Sequence, residues 1–314
     1  VQYISLNANS EFKRLSAPVR FASVIDEWKP DIVHVHMISS EQFVFLSSLV
    51  SRHKYKAIRT KHDERIYPAF VMNRFMHRFY SRNIACSDSA FQALASMGLA
   101  DRSVIIKNGI ELGLIKKLGD EEKLEMKKRL GIPVDKTLLL NIGSMQLERT
   151  GFQKSQDLII SALDVGKLAD RCHVAFLGDG SGKKQLRQQS ERTGVVKSVS
   201  FKGIVSNVMD YVACADIMLM PSRWEGLPIA VIEVACSGIP MVLSNIDSFE
   251  EFDSKSVVRC ETGSVDSLVS ALNSVLSELY LFQKEAIEAS IGYQNKFSIQ
   301  SVAARHVELY REML

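Results

Sequence analysis

Apolar runs of strand length, each ending in a glycine or polar turn, recur along the chain, and stretches of helical period separate them. In the first part, Gln2–Leu6, Asp31–His36, Ala57–Thr60, Asn83–Ser87 and Val104–Glu111 read as strands, with a helix over Glu11–Trp28. In the second, strands are expected at Thr137–Ile142, His173–Leu177, Ser198–Lys202, Ile217–Met220 and Ile239–Leu243. Helices are expected there at Lys154–Leu163, Val205–Val212 and Pro228–Ser237. Runs that are apolar almost throughout suit strands covered on both faces, and their alternation with helices builds parallel sheets. Asn108 and Gly109 predict a turn with positive φ, and 297–314 predicts one amphipathic helix. The pattern points to an α/β architecture.

Pro221–Leu243 is the most informative stretch. A polar turn (Ser222, Arg223, Trp224, Glu225, Gly226) leads into a helix with proline at its first turn and Gly238 just past its end, the expected start and stop signals. Ile229, Val231, Ile232, Val234 and Ala235 make that helix apolar nearly all round, so it should be buried. Glu225 lies in the turn and Glu233 on the helix. A carboxylate on a buried helix is costly unless it is paired or hydrogen-bonded. Either Glu233 pairs with an arginine or caps backbone amides, or both carboxylates accept hydrogen bonds from a polyhydroxylated ligand. Open α/β sheets bind ligands at the carboxyl ends of their strands, where this turn belongs.

Other polar groups follow strand ends. His34 and His36 alternate along one strand and face one side; as a metal site they lack a third ligand, and no metal is assigned. His62 follows Ala57–Thr60. The turn Gly178-Asp-Gly180-Ser-Gly-Lys183 is not a P-loop, because Lys184 stands where Ser or Thr would follow, and not a dinucleotide fingerprint, because Lys183 takes the third glycine position. Backbone amides at a helix start nonetheless favour phosphate.

The pair Glu-x7-Glu, set inside Pro-Ser-x-x-Glu-Gly-Leu-Pro and ahead of Gly-x-Pro-x-Val, resembles the donor-site signature of retaining GT-B glycosyltransferases of family GT4. The resemblance extends over nearly the whole chain. It implies a GT-B fold, two Rossmann-like parallel-sheet domains facing across a cleft. Residues 1–116 would form the acceptor-side domain and 117–296 the nucleotide-sugar domain, with 297–314 a last helix returning to the first. The implied reaction moves a sugar from a nucleotide diphosphate sugar to a glycan, lipid-linked or other hydroxyl acceptor, with retention and without cofactor or metal. Envelope, exopolysaccharide or lipopolysaccharide synthesis is the implied setting. Lys154 would neutralise the diphosphate, and the amides of Gly178 and Gly180 would approach the nucleotide. Glu233 would take the ribose, and Glu225 the sugar, with the Gly226 and Leu227 amides nearby. His62, in a Thr-x-His match, would sit over the reacting sugar, making His62 and Glu225 the catalytic candidates. Ser144 stands where the family usually has an arginine, and Arg149 is a candidate replacement. Members also begin with a strand, glycine-rich turn and helix ahead of the counterpart of Gln2–Leu6, so an amino-terminal truncation is expected. A nucleotide-sugar 2-epimerase of the same architecture and an inactive sugar-nucleotide binder are the competing readings.

Bulk properties narrow the setting. At 314 residues and 46% hydrophobic the chain has room for two cores. No apolar run approaches the ~20 residues of a membrane span. Five widely spaced cysteines without a CxxC pair read as reduced core thiols in a cytoplasmic protein. Residues 1–118 hold 17 Lys and Arg against 10 Asp and Glu, so the first part is the basic one. No nucleic acid is expected as a partner; the basic part reads either as a surface that meets an anionic membrane, on the inner face of the plasma membrane, or as simple solvated charge. Within 68–82, Arg74, Arg78 and Arg82 recur at helical spacing beside Val71, Phe75 and Phe79. This reads either as an amphipathic helix at a membrane or acceptor surface, or as a helix with a core side and a solvated arginine side.

Overall fold

The computed structural model describes residues 11–36, 38–63 and 78–314. Two compact units divide the chain. The first takes the residues up to Lys107 together with Ala303–Leu314, and the second is Asn108–Val302. Both are Rossmann-like α/β units built on parallel sheets.

In the first unit four parallel strands, β1 (Ile32–Val35), β2 (Lys56–Lys61), β3 (Tyr80–Ala85) and β4 (Ser103–Ile105), lie side by side in chain order. Helices α1 (Glu11–Trp28), α2 (Ile38–Val50) and α3 (Asp88–Ser96) accompany them. The Ser87 hydroxyl caps α3 by accepting from the Ala90 amide. Val35, Val44, Ala57 and Tyr80 form a core cluster against which Phe79 packs. A charged group crosses this interior: Arg59 is 5% exposed. Its Nη1 donates to Glu41 Oε2 and its Nε to Asn83 Oδ1, each at 2.7 Å.

Tyr80 corrects the expectation for 68–82. It begins β3, it is fully buried, and its hydroxyl donates to the Glu41 carbonyl at 3.0 Å. Arg82 therefore lies on a strand and cannot share a helix face with Arg78, which is exposed. Burial of Tyr80 with a hydrogen-bond partner outweighs the helical spacing of the arginines. Arg74, like Gln2–Leu6, lies outside the described residues.

The second unit carries a six-stranded parallel sheet in the order β12 (Val257–Cys260), β11 (Met241–Ser244), β10 (Ile217–Met220), β5 (Thr137–Ile142), β8 (Cys172–Leu177), β9 (Val199–Gly203). Helices α4 (Asp120–Arg129), α5 (Gln156–Val165), α6 (Lys183–Arg192), α7 (Val208–Cys214), α8 (Ile229–Ser237), α9 (Val265–Ser277) and α10 (Leu279–Phe297) connect and cover it. The chain starts at β5 in the middle, runs outward through β8 and β9, then returns to β10 on the other side of β5. The strand order thus reverses between β5 and β10, and the loops leaving these two strands diverge there.

Three local features depart from expectation. A short antiparallel hairpin, β6 (Leu147–Glu148) and β7 (Gly151–Phe152), is inserted between Gly143 and Lys154. Helix α5 starts at Gln156, because Ser155 takes a left-handed φ of 50°. The last amphipathic stretch is broken at Ser298, so that α11 (Ile299–Met313) starts afresh and passes from the second unit into the first. Asn108 and Gly109 also miss the predicted positive φ. Gly109 is required for another reason: a Cβ there would lie 2.8 Å from Val302 Cγ2 and 3.2 Å from Ile299 Cα. Asn108 Nδ2 instead donates to the Leu227 carbonyl at 2.7 Å, tying the chain's entry into this unit to the loop before α8.

Candidate active site

The carboxyl ends of β5, β8 and β10 bring the predicted donor residues of the second unit to one edge. β10 ends at Met220 and the chain enters a buried loop, Pro221–Leu227, held from β11 by Ser244, whose hydroxyl donates to the Ser222 carbonyl at 2.6 Å. Glu225 in this loop is 5% exposed. Lys154 meets it from the loop after β7: Nζ donates to Glu225 Oε1 at 2.5 Å, and both side chains are nearly buried. The lysine stem lies across Gly143, where a Cβ would come within 2.8 Å of Lys154 Cε. Gly143 has φ +159°, close to extended, so here it is the lack of a side chain that matters.

Glu233 lies one turn into α8. It is half-buried, and its carboxylate has no hydrogen bond or ion pair among the described residues; burial holds its pKa above the usual carboxylate range. The reading in which it pairs with an arginine or caps amides therefore finds no support in the geometry. The amides of Gly226 and Leu227 likewise bond to nothing among the described residues. They precede the first turn of α8, which adds the positive end of a helix dipole.

The glycine turn behaves differently from expectation. The Gly178 amide donates to the Gly203 carbonyl at 2.8 Å and the Gly180 amide to Asp179 Oδ1 at 2.8 Å. Their amides are engaged within the protein. What the glycines provide is proximity: a Cβ on Gly178 would fall 2.0 Å from the Gly143 carbonyl oxygen, and one on Gly180 2.3 Å from the Met145 carbonyl carbon. The Gly182 amide completes the seam by donating to Met145 O at 3.0 Å. The turn after β8 thus clamps the loop after β5. Ser144, in that clamped loop, is exposed and uncharged, and its Oγ accepts from the Gln146 amide at 3.2 Å. Arg149 stands exposed in the turn between β6 and β7.

In the first unit His62 is found just past β2, exposed, with its Nε2 3.3 Å from His36 Nδ1. His34 stacks on His36 at 4.1 Å between ring centroids. It is fixed at both nitrogens, Nδ1 to the Tyr310 hydroxyl at 2.6 Å and Nε2 to Thr60 Oγ1 at 2.7 Å. His306 lies 6.0 Å from His34. Nothing local in the sequence announces His306 and Tyr310 as members of this cluster, because α11 delivers them from the far end of the chain. Desolvation, reinforced by the neighbouring imidazoles, pushes His34 down to about 3 and lowers His36 and His62. These imidazoles are neutral at neutral pH, which suits His62 to hydrogen-bonding a hydroxyl rather than carrying charge.

The sign of the pH effect follows. A histidine with a depressed folded pKa refuses protons that the unfolded chain accepts, so stability is full above about 6.5 and falls as pH drops towards 3. Urea unfolding at pH 7, 6, 5 and 4 should show this decline. His34→Asn should flatten it by up to about 1.4 kcal/mol per pH unit. An unchanged slope in the variant would assign the acid sensitivity elsewhere.

Among the described residues no group of three or more His, Cys, Asp or Glu is placed to hold a metal ion, and no helix is long and apolar enough to cross a membrane. All five cysteines are buried, and burial pushes the Cys236 thiol up to about 12.

Known proteins resemble this chain in sequence and in fold. TuaC of Bacillus subtilis is 27% identical over 227 residues, covering 69% of this chain and 54% of that protein, so the chain spans about half the length of that relative. Glycogen synthase of Mycobacterium tuberculosis is 25% identical over 304 residues, 90% of this chain and 69% of the relative. Among solved structures, Anabaena Alr3699/HepE in complex with UDP and glucose superposes with a TM-score of 0.81 at 18% identity, over 99% of this chain and 86% of that one, a likeness of GT-B fold. The profile described as Glycosyltransferase Family 4 matches residues 3–114. The profile described as Glycosyl transferases group 1 matches residues 122–290, a span that contains Lys154, Glu225 and Glu233 and more than half of the chain, and the chain belongs to that family.

Proposed function

We propose that the protein transfers a sugar from a nucleoside diphosphate sugar to a hydroxyl acceptor, with retention of anomeric configuration and without a bound metal. The observation that carries this reading is the set at the β5–β10 divide: a buried Lys154–Glu225 pair, an unpartnered half-buried Glu233, and two unbonded amides at a helix start. Lys154, the Gly226 and Leu227 amides and the α8 dipole would offset the charge that builds on the leaving diphosphate. Glu233 would accept hydrogen bonds from the ribose hydroxyls and Glu225 from those of the transferred sugar. We assign His62 a hydrogen bond to a sugar hydroxyl. No residue is assigned as a covalent nucleophile. The UDP and glucose bound by the Anabaena protein favour a UDP-hexose donor, and the glycogen synthase relative favours a glycan acceptor. A role in envelope polysaccharide assembly, at the cytoplasmic face of the membrane, is the setting we infer.

The test is binding of UDP-, ADP- and GDP-sugars, read as a rise in melting temperature, on wild type and Glu233→Gln. A carboxylate that accepts ribose hydroxyls should be worth about 1.5–3 kcal/mol, so the variant should bind about 10- to 100-fold more weakly with its own melting temperature nearly unchanged. Equal affinity in the two proteins would remove Glu233 from the site. Product analysis then separates transfer, which glycosylates the acceptor, from epimerisation, which returns a free sugar nucleotide.

A further inference from the structure

The site just described is short of positive charge for an anionic ligand. Lys154 is already matched by Glu225, and Glu233 follows on α8 with no counter-ion. A diphosphate arriving there would face one ammonium and two carboxylates, and the net field would oppose it. Ser144 contributes no charge.

One cation in the same loop is uncommitted. Arg223 precedes Glu225 by two positions. Its backbone amide donates to the Gln153 carbonyl at 2.8 Å, and Gln153 Nε2 donates to the Trp224 carbonyl at 3.0 Å. The loop that carries Arg223 and Glu225 is therefore stitched to the segment that carries Lys154. The guanidinium lies beside Gly151, with Nη2, Nε and Cζ 3.6, 3.8 and 3.9 Å from the place a Cβ would take. Gly151 has φ +104° and leaves that space open. Arg223 is partly buried and makes no side-chain hydrogen bond or ion pair among the described residues. Its Nε is withdrawn from solvent without an acceptor, whereas its Nη atoms keep some access. A guanidinium drawn out of water with no anion is unfavourable, and an arriving anion relieves that cost.

We propose that Arg223 is the second cation of the diphosphate site. It would reach the phosphate oxygens through its Nη edge while Lys154 exchanges Glu225 for the same group. The inserted hairpin then has a purpose: β7 places Gly151 in contact with the guanidinium. This inference rests on the donor reading above, because it needs a nucleoside diphosphate as the ligand.

The experiment compares nucleoside diphosphates with monophosphates. UDP, ADP and GDP, each beside its monophosphate, are titrated calorimetrically into wild type, Arg223→Ala, Arg223→Lys and Arg149→Ala. Arg223→Ala should weaken the preferred diphosphate by about 10- to 100-fold, the worth of charge-assisted hydrogen bonds, and its monophosphate by no more than about 3-fold. Arg223→Lys should recover part of the loss, and because it keeps charge and bulk it reads the effect even where the alanine variant folds poorly. Equal losses for diphosphate and monophosphate, or none, would overturn the proposal. So would a selective loss in Arg149→Ala alone, which would give the role to the hairpin tip. If wild type binds none of the diphosphates, the donor reading fails first and this proposal with it; if wild type binds them and Arg223→Ala does too, only this proposal fails.

Discussion

Lys154→Ala should cut sugar transfer by about 10²- to 10³-fold, the loss typical when one preorganised group that stabilises transition-state charge is removed. It should also lower stability. Glu225 is 5% exposed, and without Lys154 its carboxylate stays buried with no ion partner, a situation that costs about 3–5 kcal/mol. The two effects can be separated. The double variant Lys154→Met, Glu225→Gln removes both charges, so it should recover most of the stability while transfer stays low. Full activity in Lys154→Ala, measured as acceptor glycosylation under saturating donor, would end the assignment of Lys154 to the diphosphate.

The second large effect is expected in the buried interior of the first unit. Arg59→Met strands the Glu41 carboxylate and the Asn83 side-chain carbonyl inside the first unit, and about 3–5 kcal/mol of its stability should go. The chain has two tryptophans, Trp28 in the first unit and Trp224 in the second. In a Trp224→Phe background, Trp28 fluorescence therefore follows unfolding of the first unit by urea. Its midpoint should fall in Arg59→Met while the second unit, followed by Trp224 fluorescence in a Trp28→Phe background, keeps its own transition. Coincident shifts of both transitions would show that the two units unfold together.

Much of the second unit was legible in the sequence because local pattern and tertiary need agree there. Strands such as Ile217–Met220 are buried at every position, and the proline and glycine around α8 stop it where expected. Glu225 and Glu233 stood out in the sequence because charges are rare on buried helices and loops, and the structure finds both at least half-buried. What escaped reading depends on partners remote in sequence. The β6–β7 hairpin is two residues a side, too short for alternation to show. The glycines after β8 look like a phosphate cradle, yet the loop after β5 decides their role: a Cβ on Gly178 or Gly180 would fall 2.0–2.3 Å from that loop's backbone. Asn108 looks like a turn residue, yet its amide reaches Leu227 across 119 positions. Arg82 fits a helical row by spacing alone, and the buried Tyr80 two positions earlier overrides it by starting a strand. The histidine cluster was half visible, as His34, His36 and His62; its remaining members arrive on α11.

That last helix sets a timetable for synthesis. Lys56 Nζ donates to the Met313 carbonyl, Arg305 Nη2 to Ile105 O at 2.6 Å, and His34 pairs with Tyr310, so the first unit holds contacts made only with residues translated after the whole of the second. The second unit is one unbroken segment, Asn108–Val302, and can close as soon as it clears the ribosome. On a growing chain the order of completion is reversed from the order of translation: the first unit waits, with α11's berth open, until Ala303–Leu314 emerge. A ribosome stalled before α11, or a nick that removes it, would then be felt first in the folding of residues made long before.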